Sequence, residues 1–222
     1  KGTGYLRNLL VRDGKRTGER MVVLITAPGA LPNAEAFVAA VQEGFPADSI
    51  YHGEFSGKAE VATAETLTLL HGAPWITEVL HLSTADKEDK DEGTCANPSR
   101  FLHQDHRSVQ AIQFRISPLS FFQTNPLAAE RLYGCIRDWV LRIRPGVLYD
   151  LYGGAGGIAF CCAPFATKVV SVESVPEASH DGILNAAQNN ISNVTFTTST
   201  IREFLRNQDI LGGLPDESAV IV

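Results

Sequence analysis

The sequence predicts an α/β protein, a doubly wound parallel sheet preceded by a small α/β central domain. Strand and helix patterns alternate through the second half of the chain at the spacing of βαβ units. A glycine cluster, Gly153-Gly154-Ala155-Gly156-Gly157, stands between a buried apolar run and a helical pattern. The first half opens instead on two aliphatic runs split by a turn-rich hexapeptide, which is a hairpin signal. Of the 222 residues, 44% are hydrophobic and 20% charged, enough apolar material for a packed core.

Leu6 to Arg12 and Met21 to Thr26 are the two aliphatic runs, and Asp13 to Gly18 is the turn between them. Asn33 then caps a short helix carrying Phe37, Ala40 and Val41 at helical spacing, stopped by Gly44 and Pro46. Ser49 to His52 and Trp75 to Leu82 read as further strands. Ser83 to Arg107 is polar and charged and lacks either period, so residues 83–107 are expected to be a disordered acidic insertion. After it, Gln110 to Ile116 reads as a strand, and Asn125-Pro126 opens a helix with Asn as its cap and Pro at its first position. Leu132, Ile136, Trp139, Val140 and Ile143 line one face of that helix, and Pro145-Gly146 stops it. Strands follow at 147–152, 168–173, 194–198 and 219–222, with helices after the glycine cluster, at 176–190 and around 201–207. The expected domains are residues 1–110, the central α/β domain, and 111–222, the doubly wound domain.

Formal charge is −6, from 19 Lys and Arg against 25 Asp and Glu. Taken alone, that argues against a chain that grips nucleic acid phosphates, which needs clustered positive charge. Half of the deficit sits in Asp86 to Glu92, with five acids and two lysines. The cysteines Cys95, Cys135, Cys161 and Cys162 form no C-x-x-C pair, so neither a zinc site nor a disulfide framework is indicated, and reduced cytoplasmic thiols are the plain reading. The apolar runs fall far short of a membrane span. Lys1-Gly2-Thr3-Gly4 reads as the inside of a longer protein.

A glycine cluster after a buried strand lets backbone approach a ligand closely, because no Cβ intervenes. A following helix start would add free N–H groups and a positive dipole end. Glu173 ends the next strand, where a carboxylate can accept both hydroxyl hydrogens of a ribose. The arrangement serves either an adenine dinucleotide or S-adenosylmethionine, and Gly154-x-Gly156-x-x-Ala159 formally fits the dinucleotide pattern too.

The string Ile116-Ser117-Pro118 with Ser120-Phe121-Phe122-Gln123-Thr124-Asn125-Pro126, followed by Ala129-Glu130, Leu132-Tyr133 and Asp150-Leu151-Tyr152, resembles the RNA (uracil-5-)-methyltransferase family. Val172-Glu173, Ala178 and Asn193-Val194-Thr195-Phe196 continue the resemblance, and the opening Gly4-Tyr5-Leu6-Arg7 with Arg12-Asp13-Gly14 and Thr17-Gly18-Glu19 is similar to that family's central region. It covers nearly the whole chain apart from the acidic insertion.

The resemblance implies a Rossmann-like class I methyltransferase, truncated, that takes S-adenosylmethionine and acts on C5 of uridine in rRNA or tRNA. It implies that Gln123 faces the cofactor near its reactive end, while Phe121, Phe122 and Asn125 shape the wall beside the target base. Tyr152, Gly154, Gly156 and Gly157 border the cofactor, Glu173 holds the ribose, and Thr200 stands beside the adenine. Phe121 and Phe122 can equally be core, and Tyr152 can simply cover the sheet. The chain departs from the family at Gly153, commonly Cys there, and at Gly157, commonly Thr or Asn, which would loosen the loop. No residue here matches the family's nucleophilic cysteine, so that group and its base are expected beyond Val222, the chain as given is expected to be inactive, and no metal is expected in it. RNA contacts are expected mostly outside this chain. Two other readings remain: a nicotinamide-dependent oxidoreductase, and a non-catalytic RNA-associated module.

Overall fold

The computed structural model describes residues 4–57, 62–83, 109–210, 215 and 217–221. The expected acidic insertion and Cys95 lie outside the described residues. The chain divides into two compact units, residues 1–79 with 115–120 and residues 80–114 with 121–222.

The first unit is a four-stranded sheet in the order β1-β2-β3-β4 with one helix. Strands β1 (Leu6–Asp13) and β2 (Arg20–Thr26) form the expected hairpin, in register from Leu6 opposite Thr26 to Asp13 opposite Arg20. Helix α1 (Ala34–Gly44) carries the chain over to β3 (Ser49–Glu54), which pairs parallel to β2. Phe37, Val38 and Val41 of α1 pack with Phe45 on Val22, Ala47 and Ile50, the helical periodicity meeting the strand's alternation. Asn33 behaves differently from expectation. It sits at φ 54° with no side-chain cap bond, and only its carbonyl joins the helix. Strand β4 (Thr66–Gly72) was not signalled by the sequence. Its register shifts between Ile50 and Tyr51 of β3, leaving Leu70 as an extra residue, and such a bulge breaks the period of two.

Strands β5 (Ile76–Ser83) and β6 (Val109–Ile116) form a two-stranded sheet. In the second unit Asn189 ties down β6 by accepting from the Gln113 amide at 3.0 Å and donating to its carbonyl at 2.7 Å. Helix α2 (Pro126–Ile143) starts as expected, with Asn125 accepting from Ala128 N at 3.1 Å and Pro126 in the first turn. Its packing face is not the one the periodicity suggested. Ala129, Tyr133, Arg137 and Val140 are buried, whereas Leu132, Trp139 and Ile143 are exposed and Ile136 half-buried. The apolar stripe lies about a quarter-turn round the helix from the buried face. Tyr133 carries the contact, and Arg137 is covered beside Asp138.

The main sheet of this unit is parallel throughout, in the order β10-β7-β8-β9. Its strands are β7 (Val147–Leu151), β8 (Lys168–Glu173), β9 (Val194–Thr198) and β10 (Ser218–Ile221), joined through α3 (Gly157–Cys162), α4 (Pro176–Gln188) and α5 (Ile201–Ile210). Tyr149, Leu151, Val170 and Val172 pack with Phe204 of α5, with Val147 and Ile201 at the margin. The alternate residues Leu148, Asp150, Val169 and Ser171 point the other way and are buried. The doubly wound class expected from the sequence is borne out. From β7 the chain proceeds to β8 and β9 on one side and returns to β10 on the other. Open α/β sheets hold their ligands at such a reversal, here at the carboxyl end of β7.

Candidate functional site

Residues 152–156 fill the turn between β7 and α3. Tyr152, Gly154 and Gly156 adopt φ of 65°, 54° and 95°, so positive φ recurs at every second residue of the turn. Gly154 and Gly156 take that conformation without steric penalty. Tyr152 does not, and an L-residue there carries a strain of about 1–2 kcal/mol. Its side chain is 68% exposed, so it does not cover the sheet.

Glu173 ends β8 beside this turn. Its Oε2 accepts from the Gly154 amide at 2.9 Å, and its Oε1 accepts from Val175 N at 2.7 Å and Ser174 Oγ at 3.3 Å. The carboxylate is thus pinned to the glycine loop and held half-exposed at the carboxyl end of the sheet. The Glu173 carbonyl accepts from Ser199 N at 2.9 Å, which brings Thr200 to the same end of the sheet. Thr200 and Glu203 bond reciprocally, hydroxyl to carboxylate at 2.8 Å and each amide to the other's side chain, a capping box at the start of α5. These bonds hold the Glu203 carboxyl below its ordinary range.

The segment before α2 also reaches the loop. A side chain at Gly154 would meet the Phe121 carbonyl at 3.8 Å. Phe121 is 67% exposed while Phe122 turns inward, its ring 5.4 Å from Phe114, which in turn lies 5.6 Å from Phe160. The two phenylalanines therefore divide between surface and core. Gln123 is half-buried two residues further on, and Asn125 commits its Oδ1 to the α2 cap. The structure gathers Tyr152, Gly154, Gly156, Gly157, Glu173 and Thr200 at the carboxyl ends of the strands, with the Phe121 backbone alongside, and places the Phe122 ring elsewhere.

The unusual glycines are packed, not loose. A Cβ at Gly153 would stand 1.8 Å from Ser171 Oγ, and one at Gly157 would stand 2.8 Å from the Tyr133 hydroxyl. Neighbouring elements have grown into the space that side chains in the loop would fill. The dipole expectation is weaker than it looked, because α3 is six residues long and sums few peptide dipoles.

Sequence reasoning missed Asp150. It is 1% exposed, and neither carboxylate oxygen meets a donor in good hydrogen-bond geometry. Burial, and less strongly the Glu173 charge, push its carboxyl up to about 7, with the Ala159 amide offsetting this only in part. Its charge is felt by Tyr133, pushed up to about 12, chiefly by burial. Ser171 Oγ, also without a bonded partner, lies beside it under Gly153. The signal was an acid inside the buried run Val147-Leu148-Tyr149-Asp150-Leu151. A separate cavity of about 380 Å³ opens at the other end of the strands, near Ala166 and Asn193. Asn193 already donates to the Ala163 and Ala166 carbonyls and Asn189 to Gln113 and Asn185, so its amides serve the fold.

A parallel sheet reversing beside a glycine turn, with a carboxylate at the next strand tip, is the nucleotide-binding arrangement of open α/β sheets, and the solved relative below makes the fold that of a class I methyltransferase. No family model matches the chain. It is 29% identical over 206 residues to an uncharacterized RNA methyltransferase of Clostridium tetani, covering 91% of this chain and 39% of that protein. To a 23S rRNA (uracil(747)-C(5))-methyltransferase of Vibrio vulnificus it is 28% identical, covering 89% of this chain and 45% of the other. Among solved structures it is similar to a Pyrococcus abyssi tRNA (uracil-54, C5)-methyltransferase in complex with S-adenosyl-L-homocysteine, with TM-score 0.57, 25% identity, and coverage of 89% and 40%. The resemblance to the RNA (uracil-5-)-methyltransferase family is borne out by these relatives. The chain spans about two fifths of the length of the curated relatives it matches. Among the described residues no helix is long and apolar enough to cross a membrane.

Proposed function

We propose that this chain holds S-adenosylmethionine over the glycine turn and serves methylation of C5 of a uridine in rRNA or tRNA. The observation that carries this reading is the Gly154–Glu173 bond at the sheet's reversal, in a chain whose relatives are named RNA methyltransferases, two of them for uracil C5.

The residues fit the cofactor. Gly154 leaves open the space a Cβ would take, whereas Gly156 abuts the Phe160 ring, and the Glu173 carboxylate, with three of about four acceptor sites in use, takes one ribose hydroxyl directly and a second by giving up its 3.3 Å bond from Ser174. Asp150, buried without a donor in good geometry, would be favoured in its ionised form by an ammonium such as the amino-acid end of this cofactor carries. Tyr152 and Phe121 are exposed near this turn, and Gln123 brings an amide into the same stretch of chain. Bound there, S-adenosylmethionine supplies an electrophilic methyl group.

Methylation at C5 of uracil further needs a thiolate to add at C6 and a base to take the C5 proton. Cys161 and Cys162 do not suit the first role. Both are buried in α3, and hydrogen bonding with Cys161 together with burial pushes the Cys162 thiol up, away from the thiolate form. We assign the nucleophile to neither. With a formal charge of −6, the phosphate grip on RNA is likewise assigned to other parts of the protein.

Calorimetric titration with S-adenosylhomocysteine, S-adenosylmethionine and NAD tests the reading. Binding of the first two and not of NAD is the expected result. Uptake of NAD alone would transfer the site to hydride chemistry.

A further inference from the structure

Tyr133 is the aromatic side chain that α2 buries, and it is 7% exposed. Burying a tyrosine in place of a phenylalanine strips an O–H of water, a cost that a hydrogen bond ordinarily offsets. Among the described residues the Tyr133 hydroxyl makes no such bond, and the Cys161 thiol, at 3.3 Å, donates to the Tyr133 carbonyl instead. Burial, then Asp150 and Cys161, push the hydroxyl up to about 12, so it keeps its proton and remains a donor. It borders the glycine turn. A Cβ at Gly157 would stand 2.8 Å from the Tyr133 oxygen and 3.0 Å from its Cε2 and Cζ, so the hydroxyl holds the place that a side chain at 157 would take. Asp150 and Ser171, 1% and 0% exposed, lie under Gly153 in the same turn, and neither makes a hydrogen bond in good geometry with a described residue. Polar side chains from α2, β7 and β8 of one compact unit therefore meet at this turn with hydrogen-bonding capacity left over.

We propose that Tyr133 is a cofactor-binding residue whose hydroxyl donates to the carboxylate at the amino-acid end of the ligand. The inference rests on the cofactor reading above and adds a contact to it. Strand order decides which end of the ligand Tyr133 meets. Glu173 stands at the tip of β8, with β7 on one side and β9 on the other, so a ligand whose ribose sits there lays one end toward each. The β7 side offers an acid and an O–H donor, which complement an ammonium and a carboxylate. On the β9 side the Thr200 hydroxyl and the Glu203 carboxylate are already bonded to each other, and an uncharged adenine asks less of its surroundings.

Tyr133→Phe tests the contact, because it removes the oxygen and keeps the ring that packs α2. The whole chain is titrated with S-adenosylhomocysteine and with methylthioadenosine, which shares the nucleoside and sulfur but lacks the amino-acid end. The variant should bind S-adenosylhomocysteine about tenfold more weakly, the worth of one hydrogen bond to a charged group. It should bind methylthioadenosine as the unaltered chain does. The melting temperature of the ligand-free chain should be unchanged or raised, since no bond within the protein is lost. Equal weakening of both ligands, an unchanged affinity for S-adenosylhomocysteine, or a lowered melting temperature would overturn the contact. Failure of the unaltered chain to bind either ligand would overturn the cofactor reading instead.

Discussion

Two of the parallel strand–helix–strand crossings, one in each unit, differ in whether they build the candidate site. In the first unit β2 leads through α1 to β3, and in the second β7 leads through α3 to β8. Each second strand ends in a glutamate, Glu54 or Glu173. The next-to-last residue of the first strand differs, a fully buried Ile25 against a buried Asp150. The turns differ more. Residues 27–33 include Pro28 and Pro32, which have no N–H to offer, whereas residues 152–156 alternate positive φ and present an amide to Glu173. Topology supplies the place for a ligand. The chemistry of the turn decides whether one is held.

The most forceful test of this contrast exchanges the two glutamates for alanine. Glu173→Ala removes a charged acceptor from both the loop and the proposed ribose, and should weaken S-adenosylhomocysteine about a hundredfold, two charge-assisted hydrogen bonds lost. Glu54→Ala should leave affinity unchanged in the same titration. Equal losses would show that the crossings are not functionally distinct.

Asp150 sharpens the contrast through pH. Its folded carboxyl stands at about 7 against an ordinary 3.8, so the native state holds the proton more tightly than the unfolded chain. Below about pH 4 both states are protonated and burial costs nothing. The cost grows as pH rises from there to about 7 and is complete above it. Asp150→Asn should therefore stabilise the ligand-free chain by on the order of 3 kcal/mol at pH 8, with the gain fading toward pH 4. Denaturant melts across that range check it; a gain independent of pH would assign the effect to packing alone.

A smaller effect tests whether the glycine loop is filled from below. Gly153→Ala collides with Ser171 Oγ and should cost about 2 kcal/mol, as overpacking does. Ser171→Gly in the same chain should recover most of it. Absence of rescue in paired thermal melts would show that the loop needs Gly153 for its backbone, not for the space.

These contrasts mark what was legible beforehand. The hairpin, the alternation of β7 to β10 with helices and the Asn125-Pro126 helix start could all be read, because each depends on local pattern and cap chemistry. The glycine turn and Glu173 were legible for the same reason. Strand β4 was not, since the extra Leu70 breaks its alternation. The buried side of α2 was misread because a long apolar stripe outweighed Tyr133, whose hydroxyl reaches Gly157. Phe121 and Phe122 look alike in sequence and part only where Phe114 offers one of them a ring. Asp150 and Ser171 become a pair only through their register across β7 and β8, which no linear spacing reveals.

The gentlest test compares helix starts. Thr200 caps α5 with its side chain, whereas Asn33 sits in the left-handed region at α1 and caps nothing with its own. Thr200→Ala should lower stability by about 1 kcal/mol, the usual worth of a lost cap. Asn33→Gly should be neutral or slightly stabilising, because glycine takes φ 54° without a Cβ penalty. Thermal melts decide the pair. Titrating Thr200→Ala with S-adenosylhomocysteine then separates two roles for one hydroxyl: unchanged affinity makes Thr200 a cap and nothing more, while a loss of affinity larger than the stability change explains would place it against the adenine as well.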